Sequence, residues 1–231
     1  MNTVMRQEKK YAIDIAEGST LRSKLSRVMI PDKHNGPRGY TIRSLYFDTP
    51  DDSDYTDKID GLELRRKIRM RIYSPGQDFA MLEMKQKSGA YQLKRSLRMA
   101  REDAERVTRG DYSPLLGYEE PFAAECYALM SLRCYRPKVV VEYERTAFLA
   151  RENHIRITLD SCIRASETDL RLFAGRTHYN PVMDESGMVL EVKYNGFILS
   201  YVKDLLGDIH RPELSVSKYC LARSATRRSL R

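Results

Sequence analysis

Polar and apolar residues alternate with a period of two along much of the chain. In KIRMRI, Lys67, Arg69 and Arg71 fall on one side of an extended segment and Ile68, Met70 and Ile72 on the other, because successive strand side chains point to opposite faces. The same division places Glu83, Lys85 and Lys87 against Leu82 and Met84, Arg156, Thr158 and Asp160 against Ile155, Ile157 and Leu159, and Glu191 and Lys193 against Leu190, Val192 and Tyr194. Strands are therefore expected in RQEKKYAI, YTIRSLYFDT, LELRRKIRMRIY, FAMLEMKQK, YQLKRSLRM, KVVVEYERTAFLA, HIRITLDSCIRA and GMVLEVKYNG. Pro75–Gly76 and Ser88–Gly89 turn three of them into consecutive hairpins.

Helical spacing interrupts this pattern. Leu21, Leu25 and Val28 share a face of a helix expected to begin at a Ser19 cap. Residues 101–133 read as two helices separated by a turn around Pro114 and Gly117, and the last 30 residues carry short helices. Hairpin-linked strands interrupted by helices predict an α+β protein on a closed or strongly curved antiparallel sheet. No repeat or long linker divides the chain, so residues 1–231 are expected to form one domain.

Composition narrows the class. With 42% hydrophobic and 31% charged residues the chain of 231 can bury a core. No apolar run reaches the roughly 18 residues of a membrane span, and MNTVMRQEKKYAI lacks an apolar secretion core. A cytoplasmic location is the expectation. Cys126, Cys134, Cys162 and Cys220 show no metal-ligand spacing. The net charge of +8 predicts an anionic partner. Specific nucleic-acid binding is not expected, because the chain has no Trp and no recognised binding motif, and its cations are spread over many strands.

A solvated outer face explains the charges of any one strand. Repetition on nearly every strand is harder to explain that way, since Lys67, Arg69 and Arg71 repel one another unless an anion sits among them. Arg offers that anion a planar donor fork, and Lys offers a point charge.

The ordered set of short motifs resembles the VTC-type polyphosphate polymerase domain, a branch of the CYTH or triphosphate tunnel superfamily. The opening R-x-E-x-K-Y is Arg6, Glu8, Lys10 and Tyr11, and S-x-Y-F-D is Ser44, Tyr46, Phe47 and Asp48. K-x-R-x-R is Lys67, Arg69 and Arg71, followed by Glu83 and Lys85 and, on the next strand, by Lys94. Tyr143 with Arg145, Arg156 with Thr158 and Asp160, Glu191 with Lys193 and Tyr194, and Ser217 with Lys218 and Tyr219 complete the order.

This resemblance implies a closed eight-stranded antiparallel β-barrel, a triphosphate tunnel with flanking helices. It implies a metal-dependent polymerase moving the γ-phosphate of a nucleoside triphosphate, ATP above all, onto inorganic polyphosphate. Arg69, Arg71, Lys85, Arg145, Arg156 and Lys193 would act in catalysis, and Lys10, Lys67, Lys94, Ser217 and Lys218 would bind substrate. Lys94, Arg98 and Lys218 would extend the cationic line for a polymer. Arg6 replaces the first carboxylate of the hydrolytic tunnel enzymes, which leaves Glu191 as the expected ligand for Mn²⁺ or Mg²⁺. Two other readings share the pattern: a triphosphate hydrolase of the same fold, and a non-catalytic polyanion-binding module.

Overall fold

A computed structural model describes residues 6–89, 91–207, 209, 211–213, 215 and 217–229. Ten strands are present: β1 (Arg6–Asp14), β2 (Ile30–Pro31), β3 (Tyr40–Asp48), β4 (Leu64–Ile72), β5 (Phe79–Ser88), β6 (Tyr91–Ala100), β7 (Arg136–Leu149), β8 (Arg156–Ser166), β9 (Asn180–Pro181) and β10 (Gly187–Asn195). The helices are α1 (Ile15–Val28), α2 (Ser53–Ile59), α3 (Arg101–Thr108), α4 (Pro121–Leu132), α5 (Ser200–Leu206) and α6 (Lys218–Ser229), and a 3-10 turn at Ser113–Gly117 separates α3 from α4. Each of the eight long strands predicted from alternation is found.

The closed eight-stranded barrel is not. The strand order is β1-β10-β8-β7-β3-β4-β5-β6, with β2 on β7 and β9 on β8, so the sheet is open at β1 and β6 among the described residues. Alternation fixes the two faces of each strand. It carries no information on whether the terminal strands meet, which depends on twist and stagger accumulated over the whole sheet.

Two compact units emerge. The first comprises residues 1–41, 143–163 and 181–217, and the second residues 42–142, 164–180 and 218–231. In the second unit Leu45, Phe47, Ile68, Met70, Ile72, Leu82, Met84, Leu97 and Met99 form a buried apolar face of β3–β6. It packs with Ala104 and Val107 of α3 and Ala123, Cys126 and Met130 of α4. In the first unit Ile13, Ile155, Ile157, Leu159, Leu190 and Val192 pack with Leu21 and Leu25 of α1 and Val202 of α5. Helices α1, α3, α4 and α5 thus cover apolar faces of the strands, and Lys67, Arg69, Arg71, Lys85 and Lys94 of the second unit take the face opposite its apolar one.

Helix α1 starts five residues before the expected Ser19 cap. Asp14 caps it, accepting from the Glu17 amide at 2.8 Å while the Glu17 carboxylate accepts from the Asp14 amide at 2.9 Å, a reciprocal capping box. Strand β1 therefore runs into the helix without a loop, and Val28 ends it exposed.

Candidate functional site

In the second unit, strand register assembles the cations into rungs. Lys67 stands opposite Lys85 and Arg69 opposite Glu83 on β4–β5; Lys85 stands opposite Lys94 and Glu83 opposite Ser96 on β5–β6. On the other side of β4, Arg69 faces Tyr46 and Arg71 faces Ser44. Glu83 organises the group. Its carboxylate accepts from Arg69 Nε at 2.7 Å, lies 3.6 Å from Arg71 Nη2 and pairs with Lys94 Nζ. Burial pushes the Glu83 carboxyl up, but Arg69, Arg71 and Lys94 outweigh it and hold the group at about 2.

Positive potential remains after this pairing. Tyr46 is buried, which raises a phenol's pKa, yet Arg69, Lys67 and Arg71 bring it below its ordinary value. Its hydroxyl accepts from Arg69 Nη1 at 3.2 Å. Beside it, Arg71 Nε and Ser44 Oγ are buried with no hydrogen-bond partner among the described residues. Buried donors are nearly always satisfied. Two unpaired donor groups in register on a cationic face can donate to an anion's oxygens.

Asp48 and Tyr219 support this face from one end. Asp48 accepts from the amides of Thr49, Asp54 and Tyr55 at 2.8–2.9 Å, anchoring the start of α2, and from the Tyr219 hydroxyl at 2.5 Å. The Tyr219 ring stacks on Tyr46 at 5.2 Å, and Lys67 Nζ lies 5.9 Å from the centre of the Tyr219 ring. Lys218, half-buried, is the first residue of α6. Ser217 is buried just before it and belongs to the first unit.

The first unit carries its own charged face. On β1 and β10, Lys10 stands opposite Glu191 and Glu8 opposite Lys193. Glu8 pairs with Lys10 at 2.5 Å, and Glu191 pairs with Lys193 and lies 3.8 Å from Lys10. Arg156 joins this face opposite Lys193, bound to Asp32 at 2.8 Å and to the Tyr40 hydroxyl at 3.0 Å. Arg145 forms a two-pronged pair with the fully buried Asp160 at 2.6 and 2.8 Å. Burial opposes the Arg145 charge, but Asp160 outweighs burial and raises its pKa further. Gly39 has φ near +94°, and a side chain there would collide with the Arg145 carbonyl, so a glycine keeps that backbone approach open.

Lys67, Arg69, Arg71, Lys85 and Lys94 thus share one face, and Lys10, Arg145, Arg156, Glu191 and Lys193 share another. Sequence reasoning missed Asp32 and Tyr40, and it named Ser44 within a motif without giving its hydroxyl a role. It also did not find Arg43, which pairs with Glu142 at 2.7 Å on the helix-packed side, where Glu142 holds Arg164 as well. Parity within β3 places Arg43 with Leu45 and Phe47, but its partner Glu142, 99 residues away, comes only from the folded chain.

The order and spacing of these motifs agree with a known family: residues 5–227 match the VTC domain. The chain belongs to the VTC domain family. Solved structures share its fold. A provisionally assigned adenylyl cyclase from Hippeastrum, described as revealing a dominant triphosphatase activity, aligns with a TM-score of 0.55 and 14% identity, covering 94% of this chain and 96% of that one. Provisionally assigned adenylate cyclases from Vibrio parahaemolyticus and Bacillus halodurans align with TM-scores of 0.53 and 0.52, each at 12% identity; they cover 94% and 92% of this chain and 97% and 95% of their own. A search of curated proteins gives no match.

This VTC domain chain has no group of three or more His, Cys, Asp or Glu placed to hold a metal among its described residues. Glu191 and Glu8 lie diagonally across β10 and β1 on one face. Two carboxylates suit Mg²⁺ or Mn²⁺ bound jointly with phosphate oxygens, and they are too few for an all-protein cage.

Proposed function

We propose that the chain is a metal-dependent polyphosphate polymerase that uses a nucleoside triphosphate, with ATP the first candidate. The observation that carries this reading is the cationic face of the second unit, where Arg71 Nε and Ser44 Oγ are buried and unpaired beside Lys67, Arg69, Lys85 and Lys94. Family membership supports it.

Phosphoryl transfer asks a protein mainly for positioning and charge neutralisation. Arg69 and Arg71 would clasp the triphosphate oxygens with their forks, Ser44 would donate its hydroxyl, and the lysines would neutralise the remaining charge. A terminal phosphate oxygen of the polymer bonds to the γ-phosphorus as the bond to the β,γ-bridging oxygen breaks; ADP leaves and the chain grows by one phosphate. No side-chain nucleophile is needed. In the first unit, Lys10, Arg145, Arg156 and Lys193 would make phosphate contacts of their own. Lys218 would retain the polymer and Ser217 would add a hydroxyl contact. Glu191, with Glu8, would hold Mn²⁺ or Mg²⁺, which when bound neutralises phosphate charge. Lys10 and Lys193, which now pair with these carboxylates, would then turn to phosphate.

Hydrolysis of triphosphates by the same residues is the second reading, favoured by the triphosphatase activity described for the Hippeastrum neighbour. Incubation with Mn²⁺ and ATP, followed by separation of polyphosphate from orthophosphate, decides between them. Polymer with ADP is the expected outcome. Orthophosphate and ADP alone would establish the hydrolase.

A further inference from the structure

We propose that the cationic face of the second unit ends in a nucleobase-stacking platform built from Phe79, Met81 and Arg98. The inference rests on reading that face as a triphosphate site, and it specifies the substrate class as a nucleoside triphosphate, recognised through its base as well as its phosphates.

Along β5 the face changes character, from Lys85 and Glu83 to Met81 and then Phe79. Met81 stands opposite Arg71 on β4 and opposite Arg98 on β6, so the apolar stretch continues directly from the arginine rung. The guanidinium carbon of Arg98 lies 3.9 Å from the centre of the Phe79 ring, which is van der Waals stacking distance. Arg98 is nevertheless exposed and Phe79 and Met81 are half-buried, while α3 and α4 pack against the opposite face.

A guanidinium resting on an aromatic ring presents a flat, polarisable surface with its outer side open. Nucleobases stack on such surfaces whatever their sequence, because each has a π-face. Geometry supports this occupant. Met81 and Phe79 lie two and four residues beyond Glu83, about 7 and 13 Å along a strand at 3.3 Å per residue. Both distances are within reach of a ribose and base attached to phosphates held at Arg69 and Arg71, and Met81 is the cross-strand neighbour of Arg71 itself. Arg98 in this role stacks, instead of lengthening the cationic line for a polymer.

The test compares ATP with inorganic tripolyphosphate, each titrated with Mn²⁺ into wild-type protein and into Arg98→Lys and Phe79→Leu by calorimetry. Lysine keeps the charge and loses the stacking plane; leucine keeps an apolar residue and loses the ring. Both variants should weaken ATP binding by roughly 5- to 150-fold, the span of a lost base stack, and leave tripolyphosphate within about twofold of wild type. Equal losses for the two ligands, or no loss for either, would overturn the platform while the triphosphate site stood. Failure of wild-type protein to bind either ligand would overturn the triphosphate reading itself. Melting curves identify a variant that fails to fold, and the other substitution then carries the test.

Discussion

Glu83 holds Arg69, Arg71 and Lys94 with one carboxylate that is 4% exposed. Because its pKa is lowered to about 2 from 4.5, its stabilisation is complete above pH 4.5 and is lost as pH falls through about 2. The linkage is worth roughly 3 kcal/mol. Glu83→Gln should therefore lower the Tm at pH 7, and added tripolyphosphate should restore more of it than it adds to wild type, since the anion replaces the missing charge. Equal tripolyphosphate shifts in both proteins would refute this role. Asp54 works in the opposite sense. Burial, then nearby Asp48, raises its pKa to about 7 against the pull of Tyr135 and Arg66, so folding favours its protonated form. That contribution is full below pH 3.8 and disappears as pH rises through 7. The melting temperature of wild type should fall between pH 5 and 8, and Asp54→Asn should flatten this limb. A limb of unchanged slope would place its cause elsewhere.

At the scale of elements, α6 is docked by the bond from Tyr219 to Asp48. Tyr219→Phe keeps the ring stack on Tyr46 and removes one charge-assisted hydrogen bond, so it should cost about 1.5–3 kcal/mol in urea unfolding; a loss under about 0.5 kcal/mol would contradict the docking role. The same region shows what a sequence reveals. Strands such as KIRMRI were legible because alternation is a local property, and it sorted Lys67, Arg69 and Arg71 from Ile68, Met70 and Ile72 correctly. Helix α2 was not legible, because its anchor Asp48 ends the preceding strand and Pro50, Asp51 and Asp52 resemble a plain loop. The start of α1 was misplaced because Asp14 ends a strand and caps a helix at once. Candidate cations could be read from parity, whereas the partners Glu83, Asp160 and Asp32 required the register and the folded chain.

At the scale of the whole molecule, a net charge of +8 predicts an anionic partner, and each of the two charged strand faces offers cations to its phosphates. Polyphosphate affinity should fall steeply as salt rises from about 50 to 200 mM, because counterions released from the polymer drive binding. A salt-independent affinity would exclude these faces as its binding surface. The most direct test of the central claim is a crystal structure grown with tripolyphosphate and Mn²⁺. The account predicts phosphate oxygens within hydrogen-bonding reach of Arg71 Nε and Ser44 Oγ, flanked by Arg69 and Lys67. An anion bound away from this face, with both donors still unpaired, would contradict it.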